Sequence, residues 1–278
     1  MKGIVSYADI HSIFSKSRFG EKLKQEVRFG QYKPENVTCE EWKELLGPDV
    51  CNLQHLWHVY NRTRAFLTFA LRADPDSYSP EEQEKLLLTA LCHDWGEACV
   101  GDHPYGTKTH DLELREIEAI HRIIDEIVHD AVLRIKLHTV TDTIVNGKVD
   151  HRSGATDATK LQESFEAIEH TDYMRTPIRA WEKHQKMPHT ELRARLRAMG
   201  HLIVPAHINI LTEYAKRFPV IHHYLFTWRK QISTVIADNT EEVLRAFPLQ
   251  GYGFDADQMN NIRKEWKKWI TTATSLPH

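Results

Sequence analysis

Apolar residues along this chain recur at three- and four-residue intervals and seldom alternate, which is the pattern of amphipathic helices rather than strands. From about Leu53 to Leu71 one broad face carries Val59, Phe66, Leu67, Ala70 and Leu71, and the pattern stops in the turn-rich RADPDSYSP. The next segment opens with Ser79-Pro80-Glu81-Glu82: an N-cap, a proline at the first helical position and acids in the first turn. It continues through EKLLLTALCHDW, with Leu87, Leu88 and Leu91 as its apolar stripe, and Gly96 marks its end or a bend. CVGDHPYGTKTHD, with two glycines and a proline, reads as a loop. A helix follows from about Leu112 to Val128 on the core face Ile117, Ile120, Ile124 and Ile127. Beyond the polar break VNGKVDHRSGATDAT, Leu161, Phe165 and Ile168 predict a helix from Lys160 to Arg175, with Pro177 placed to kink it. After Pro188 come further helical periods in ELRARLRAM, HINILTEYAKRF, HHYLFTWRKQISTVI and DQMNNIRKEWKKWI, none carrying a chemical motif. The expected fold class is all-α, without internal repeats.

Composition narrows the function classes. With 278 residues, 41% hydrophobic and 27% charged, the chain can bury a sizeable core and is not a disordered one. A net charge of −3 from 36 basic and 39 acidic residues lacks the basic footprint of a protein built to hold a phosphate backbone, so no stable nucleic-acid partner is expected. No apolar run reaches the ~20 residues of a bilayer span, and the N-terminus lacks a secretory stretch. A soluble, cytoplasmic protein with no membrane partner is the expectation. Cys39, Cys51, Cys92 and Cys99 have no zinc-ribbon spacing and read as reduced thiols in or near the core. The one compositional oddity is 18 histidines, which makes metal chemistry worth testing.

The informative stretch is His93-Asp94-Trp95-Gly96-Glu97, followed by Gly101-Asp102. An imidazole and a carboxylate on adjacent residues at a helix end can turn toward one ion, because the last turn is loose. Glu97 lies four residues after His93, so it overhangs the same ion if the helix persists. Two carboxylates beside a metal-polarised water suit hydrolysis: one takes the water's proton, the other orients the water or protonates the leaving oxygen. A His-Asp pair alone is a weak signal, since Asp150-His151 and His129-Asp130 occur in the same chain and a hydrogen-bonded core histidine is the commoner reading of His93 by itself. The context is what strengthens it: an apolar helix before the pair and a Gly-Asp loop after it.

The string LLLTALCHDWGEACVGDHPYGTK resembles the central motif of the HD-domain metal phosphohydrolases, in the branch with an HDxxExxxGDxP pattern that holds the bacterial 5′-deoxynucleotidases. The resemblance runs from about Leu53 to Glu182. It implies an HD-domain helical core with an N-terminal helical segment over residues 1–188, and a C-terminal helical extension over 189–278. In the family an earlier His, the His-Asp pair and a later Asp hold one divalent cation. Carried over, His93 and Asp94 are ligands, Glu97 and Asp102 take the catalytic positions, and Lys108 suits a phosphate oxygen. The later aspartate is Asp172, whose segment ends at Glu182 as the family's last helix does, or else Asp157 in a glycine-containing polar stretch; Asp172 is preferred. The first histidine is His55 or His58, both near the core-facing edge of one helix, as positions three apart differ by only about 60°. His55 is preferred because Val59 stands where relatives carry a valine.

Two imidazoles and two carboxylates favour Mn, Co, Fe or Ni over Mg or Zn. The resemblance further implies a nucleotide substrate, with a deoxynucleoside 5′-monophosphate leading and a dNTP triphosphohydrolase on the same core as the alternative. His58, Arg62 and Trp95 are candidate substrate contacts, although tryptophans and helix arginines at such positions are more often packing or solvated residues. The deoxynucleotidases' Arg-Trp-Pro sugar-binding segment is not found upstream of the first histidine, and RFGQYKPENV is a poor substitute. Relatives are often dimers, so a homodimer is expected, and the aromatic C-terminal helices suit a buried interface. A catalytically silent HD-fold nucleotide sensor is the reading from a different class, disfavoured by the presence of both Glu97 and Asp102. A cyclic-dinucleotide phosphodiesterase is weaker still, since Pro104-Tyr105-Gly106 is not its signature.

Overall fold

The computed structural model describes residues 6–47, 50–103, 108–152, 157–247 and 254–274. Among them the chain is helical, and the strand-like pairing is one isolated antiparallel bridge between Val27 and Cys51. In chain order the helices are α1 (Tyr7–Ser15), α2 (Arg18–Gln25), α3 (Cys39–Leu46), α4 (Asn52–Ala73), α5 (Pro80–Cys92), α6 (Glu97–Val100) and α7 (His110–Ile127). After them come α8 (Ala131–Val140), α9 (Gly147–Arg152), α10 (Lys160–His184), α11 (Glu191–Tyr214), α12 (Pro219–Ile236), α13 (Thr240–Ala246) and α14 (Ala256–Thr274). No helix among the described residues is long and apolar enough to cross a membrane.

The chain divides into two units. The first comprises Met1–Arg28 and Pro48–Ile168, the second Phe29–Gly47 and Glu169–His278. The expected boundary at residue 188 is therefore displaced: the division falls inside α10, and a short early segment carrying α3 joins the C-terminal helices.

In the first unit, α4 and α5 form the central pair. The predicted start of α5 is a full capping box: Ser79 Oγ accepts from the Glu82 amide at 3.3 Å while the Glu82 carboxylate accepts from the Ser79 amide at 2.8 Å. The α4 face that packs inward holds Leu53, Leu56, Val59, Phe66 and Leu67. Between α7 and α10 the sequence pattern predicted only a polar break from Val145, whereas the structure continues helically through α8, a π-helical stretch Thr141–Asn146 and α9. The looser π turn is served from outside: Gln162 donates from Nε2 to the Thr143 carbonyl at 2.8 Å. Gly147 stands where a Cβ would collide with that same Gln162 amide.

In the second unit, α11 runs as one helix through both predicted apolar segments, burying Leu196, Met199, Leu202, Val204, Ile208 and Leu211. The α10 helix passes Pro177 and reaches His184, beyond the predicted Arg175. Tertiary packing explains this: a Cβ on Gly200 of α11 would lie 2.9 Å from Trp181 Cβ and 3.1 Å from the Pro177 carbonyl oxygen, so the two helices meet at unusually short range. Arg197 grips Asp238 with two hydrogen bonds of 2.7 and 2.6 Å and also reaches Glu242. Cys51 and Cys92 are buried, Cys39 is half-buried and Cys99 exposed, and all four are free thiols; burial pushes the Cys92 thiol up to about 12.

Candidate metal centre

Three elements of the first unit bring three ligand-type side chains together. His55 sits on the inward face of α4, His93 caps the C-terminus of α5, and Asp94 follows in the turn that leads to α6. Both histidines are buried, and the Nε2 atoms of His55 and His93 lie 3.3 and 3.2 Å from the same Asp94 oxygen, Oδ2. One donor atom from each of the three falls within 4.8 Å of the others, a geometry that could hold a metal ion. The two rings meet edge to face at 5.4 Å, and His93 makes a second edge-to-face contact with Phe165 at 5.2 Å. Burial by itself raises the Asp94 pKa, but the two imidazoles overcome it and hold the carboxyl well below the usual carboxylate range.

The hydrogen bonds behind the rings test whether this donor set fits a cation. His93 Nδ1 lies 3.2 Å from the Ala90 carbonyl, which can only accept, so Nδ1 carries a proton and Nε2 is the ring nitrogen turned toward Asp94. A ring nitrogen facing a carboxylate oxygen at 3.2 Å is bridged by a proton or by a bound cation that takes the proton's place. His55 is held the other way: the Arg28 guanidinium contacts its Nδ1 and can only donate, so the proton sits on Nε2. A cation at Nε2 of His55 requires the proton on Nδ1, so Arg28 contact and metal ligation at this ring exclude one another. His93 and Asp94 thus fit as they stand, and His55 fits by position once Arg28 releases it.

Beside these residues lies a cluster of acids. Glu97 opens α6 and Glu116 projects from α7; both are buried, and their carboxylate oxygens fall within 4.8 Å of each other and of Asp94. Lys108 joins them, with Nζ at 3.2 Å from Glu97 Oε1 and 2.8 Å from Glu116 Oε2. Asn52, one turn before His55 on α4, donates to Glu97 Oε2 at 3.0 Å. Burial and then the charge of Asp94 push Glu97 well above the usual carboxylate range, with Lys108 only partly offsetting them. Burial likewise raises Glu116, again against Lys108. Gly96 makes this crowding possible, because a Cβ there would run into the Glu116 backbone and lie 2.7 Å from its Cγ.

Of the residues proposed from the sequence, His55, His93, Asp94, Glu97 and Lys108 come together in the first unit. His58 and Arg62 sit one turn apart on the half-buried flank of α4, outside the converging donors. Asp102 is exposed beyond Gly101, its charge felt by Glu97 and Glu26. Trp95 lies in the core: it is 1% exposed and stacks on Phe14 with ring centroids 4.5 Å apart. Asp157 is exposed. Asp172 is buried on α10 and belongs to the second unit, while the other three proposed ligands converge within the first. Tyr105 lies outside the described residues. Arg28, Asn52 and Glu116 were not anticipated. Only Glu116 left a trace in the sequence, as a carboxylate one turn before Ile120 on an otherwise apolar stripe. No family model, curated protein or solved structure matches this chain.

Proposed function

We propose that this protein is a metal-dependent phosphohydrolase acting on nucleotides, converting a deoxynucleoside 5′-monophosphate to a deoxynucleoside and phosphate. The observation that carries the proposal is the buried convergence of His55, His93 and Asp94 on one point, with Glu97, Glu116 and Lys108 packed against it. Burying so many ionisable groups is costly for a fold and is characteristic of sites that bind or transform charged molecules. The mixed nitrogen and oxygen donors favour Mn, Co, Fe or Ni over Mg, which prefers oxygen alone, and over Zn, which takes fewer ligands. Such a cation, when bound, supplies Lewis-acid polarisation of a phosphate oxygen.

The chain's own residues divide the remaining work. Glu97, steered by Asn52 and Lys108, takes a proton from the attacking water as that water's oxygen bonds to phosphorus and the ester P–O bond breaks. Lys108 exchanges its carboxylate partners for a phosphate oxygen, Asp102, at the solvent edge, orients the water, and Glu97 passes the proton it has taken to the leaving 5′ oxygen. In this reading Arg62 and His58, on the flank of α4, contact the substrate beyond the reacting phosphate.

The test is a phosphate-release screen of deoxynucleoside mono- and triphosphates with added Mn²⁺ or Co²⁺, run on the wild type and Glu97→Ala. The wild type should release phosphate from at least one monophosphate, and loss of the general base should lower kcat by about 10²–10⁴-fold. Triphosphate as the released product would instead assign the dNTP triphosphohydrolase reaction to the same residues. A wild type inert with every metal, or a variant as active as wild type, would overturn the proposal and leave a binding role.

A further inference from the structure

A second cluster of histidines and carboxylates lies on the surface of the first unit, where α7 packs against α8 and the π-helical stretch. His121 and Asp125 stand one turn apart on α7; His138 on α8 and Asp142 in the π stretch are likewise four residues apart. The pairing is crossed. His121 Nε2 lies 3.0 Å from Asp142 Oδ1, and His138 Nε2 lies 3.0 Å from Asp125 Oδ1. The two rings meet edge to edge, with centroids 4.9 Å apart and 17° between their planes, and their Nδ1 atoms face each other at 2.7 Å.

Ionised carboxylates only accept, so each Nε2 carries a proton and each ring is left with Nδ1 pointing at the other ring's Nδ1. Two lone pairs at that separation repel unless something positive sits between them: a shared proton or a metal ion. A carboxylate that fixes one ring nitrogen while the other faces a common point is the arrangement around a metal-bound histidine, and here it occurs twice about one point. Two Zn–N bonds of ~2.0–2.1 Å at a tetrahedral angle need about 3.3 Å between the nitrogens, so the rings would part by roughly 0.6 Å. Side-chain exposures of 27% and 26% for the histidines and 63% for both aspartates leave the point open to solvent and to water ligands.

We propose that His121 and His138 form a second cation site, separate from the candidate centre, that takes a transition metal ion of the zinc type through their two Nδ1 atoms, with Asp142 and Asp125 as the positioning carboxylates. Bound there, the ion replaces the shared proton and clamps α7 to the α8–π junction. The same α7 helix carries Glu116 to the candidate centre.

The test is zinc content by equilibrium dialysis of the full-length protein against micromolar Zn²⁺, read by mass spectrometry, for wild type and His121→Gln/His138→Gln. The variant should hold one equivalent less. Because the result is a difference, it stands whether or not the candidate centre takes up metal; an Asp94→Asn background separates the two, since the equivalent at His121 and His138 persists there. Asp125→Asn/Asp142→Asn should weaken the zinc affinity by about 10–100-fold without removing either ligand. As a second readout, Zn²⁺ should raise the Tm of Asp94→Asn, and single His138→Gln in that background should abolish the rise. Equal zinc content in wild type and the double histidine variant, or a Tm rise that survives His138→Gln, would overturn the site.

Discussion

Gly96 offers a sharp test of how the candidate centre is built, because its backbone and its surroundings predict opposite outcomes for an added methyl. Its φ of −61° and ψ of −30° are helical, so alanine there carries no backbone strain and, in open space, would stabilise the chain by up to about 1 kcal/mol. The space is not open. The Cβ would lie 2.7 Å from Glu116 Cγ and 2.9 Å from the Glu116 carbonyl carbon, closer still to the carbonyl oxygen. Two of those atoms are backbone and cannot rotate away, so α7 must retreat by about 1.3 Å to bring the carbonyl oxygen, 2.2 Å from the new Cβ, to an ordinary contact near 3.5 Å. Overpacking of this kind costs about 1–3 kcal/mol, enough to outweigh the gain in helix propensity. The same retreat draws Glu116 away from Lys108 and Glu97, and a misplacement of about 1 Å costs up to about 10²-fold in rate. Urea unfolding of Gly96→Ala should therefore show a lowered midpoint with an unchanged slope, and its metal-dependent phosphate release should fall 10- to 100-fold. Gly30→Ala, where no atom lies within 4 Å of the new Cβ, serves as the control and should stay within about 0.5 kcal/mol of wild type. A Gly96→Ala protein as stable as wild type, or more so, would refute the close approach of α7.

Trp95→Ala should cost about 3–5 kcal/mol in urea unfolding, since it empties a buried site against Phe14; a loss below about 1 kcal/mol would show that the indole is not a core residue. Asp238 gives a pH prediction for the second unit: burial raises its carboxyl, but the Arg197 hydrogen bonds and the Asn239 amide outweigh burial, so its pKa is lowered below the ordinary 3.8. Its contribution is therefore complete above pH 3.8 and lost as the pH falls below it, so Asp238→Asn should be less stable than wild type at neutral pH and the gap should close on acidification through that value. A gap independent of pH would contradict the ion pair's role.

The helices were legible where capping and apolar spacing agreed, as at Ser79-Pro80, where both the first turn and the buried stripe of α5 follow from residue type. Pro177 misled because a proline penalty is local, while the packing of Trp181 against Gly200 that carries α10 onward is tertiary. The π stretch is held from outside, by Gln162 reaching the Thr143 carbonyl, and no helical period announces such a contact. In the candidate centre the adjacent pair His93-Asp94 and the one-turn offset to Glu97 are short-range features, so sequence alone could bring them together. His55 and His58 differ by only a fraction of a turn; the structure separates them, burying His55 beside Asp94 and leaving His58 on the flank. The contacts of Arg28 with His55 and of Asn52 with Glu97 span 27 and 45 residues and leave no periodic trace. Trp95 follows Asp94 directly in sequence, yet the turn points it into the core, since successive residues of a turn face different directions.

The most direct test of the metal centre is anomalous diffraction from crystals of the wild-type protein grown with Mn²⁺. A single strong peak within about 2.0–2.4 Å of Nε2 of His55, Nε2 of His93 and a carboxylate oxygen of Asp94 is predicted, with Arg28 no longer touching His55. No peak among these three side chains at millimolar Mn²⁺, with His55 still held by Arg28, would contradict the account.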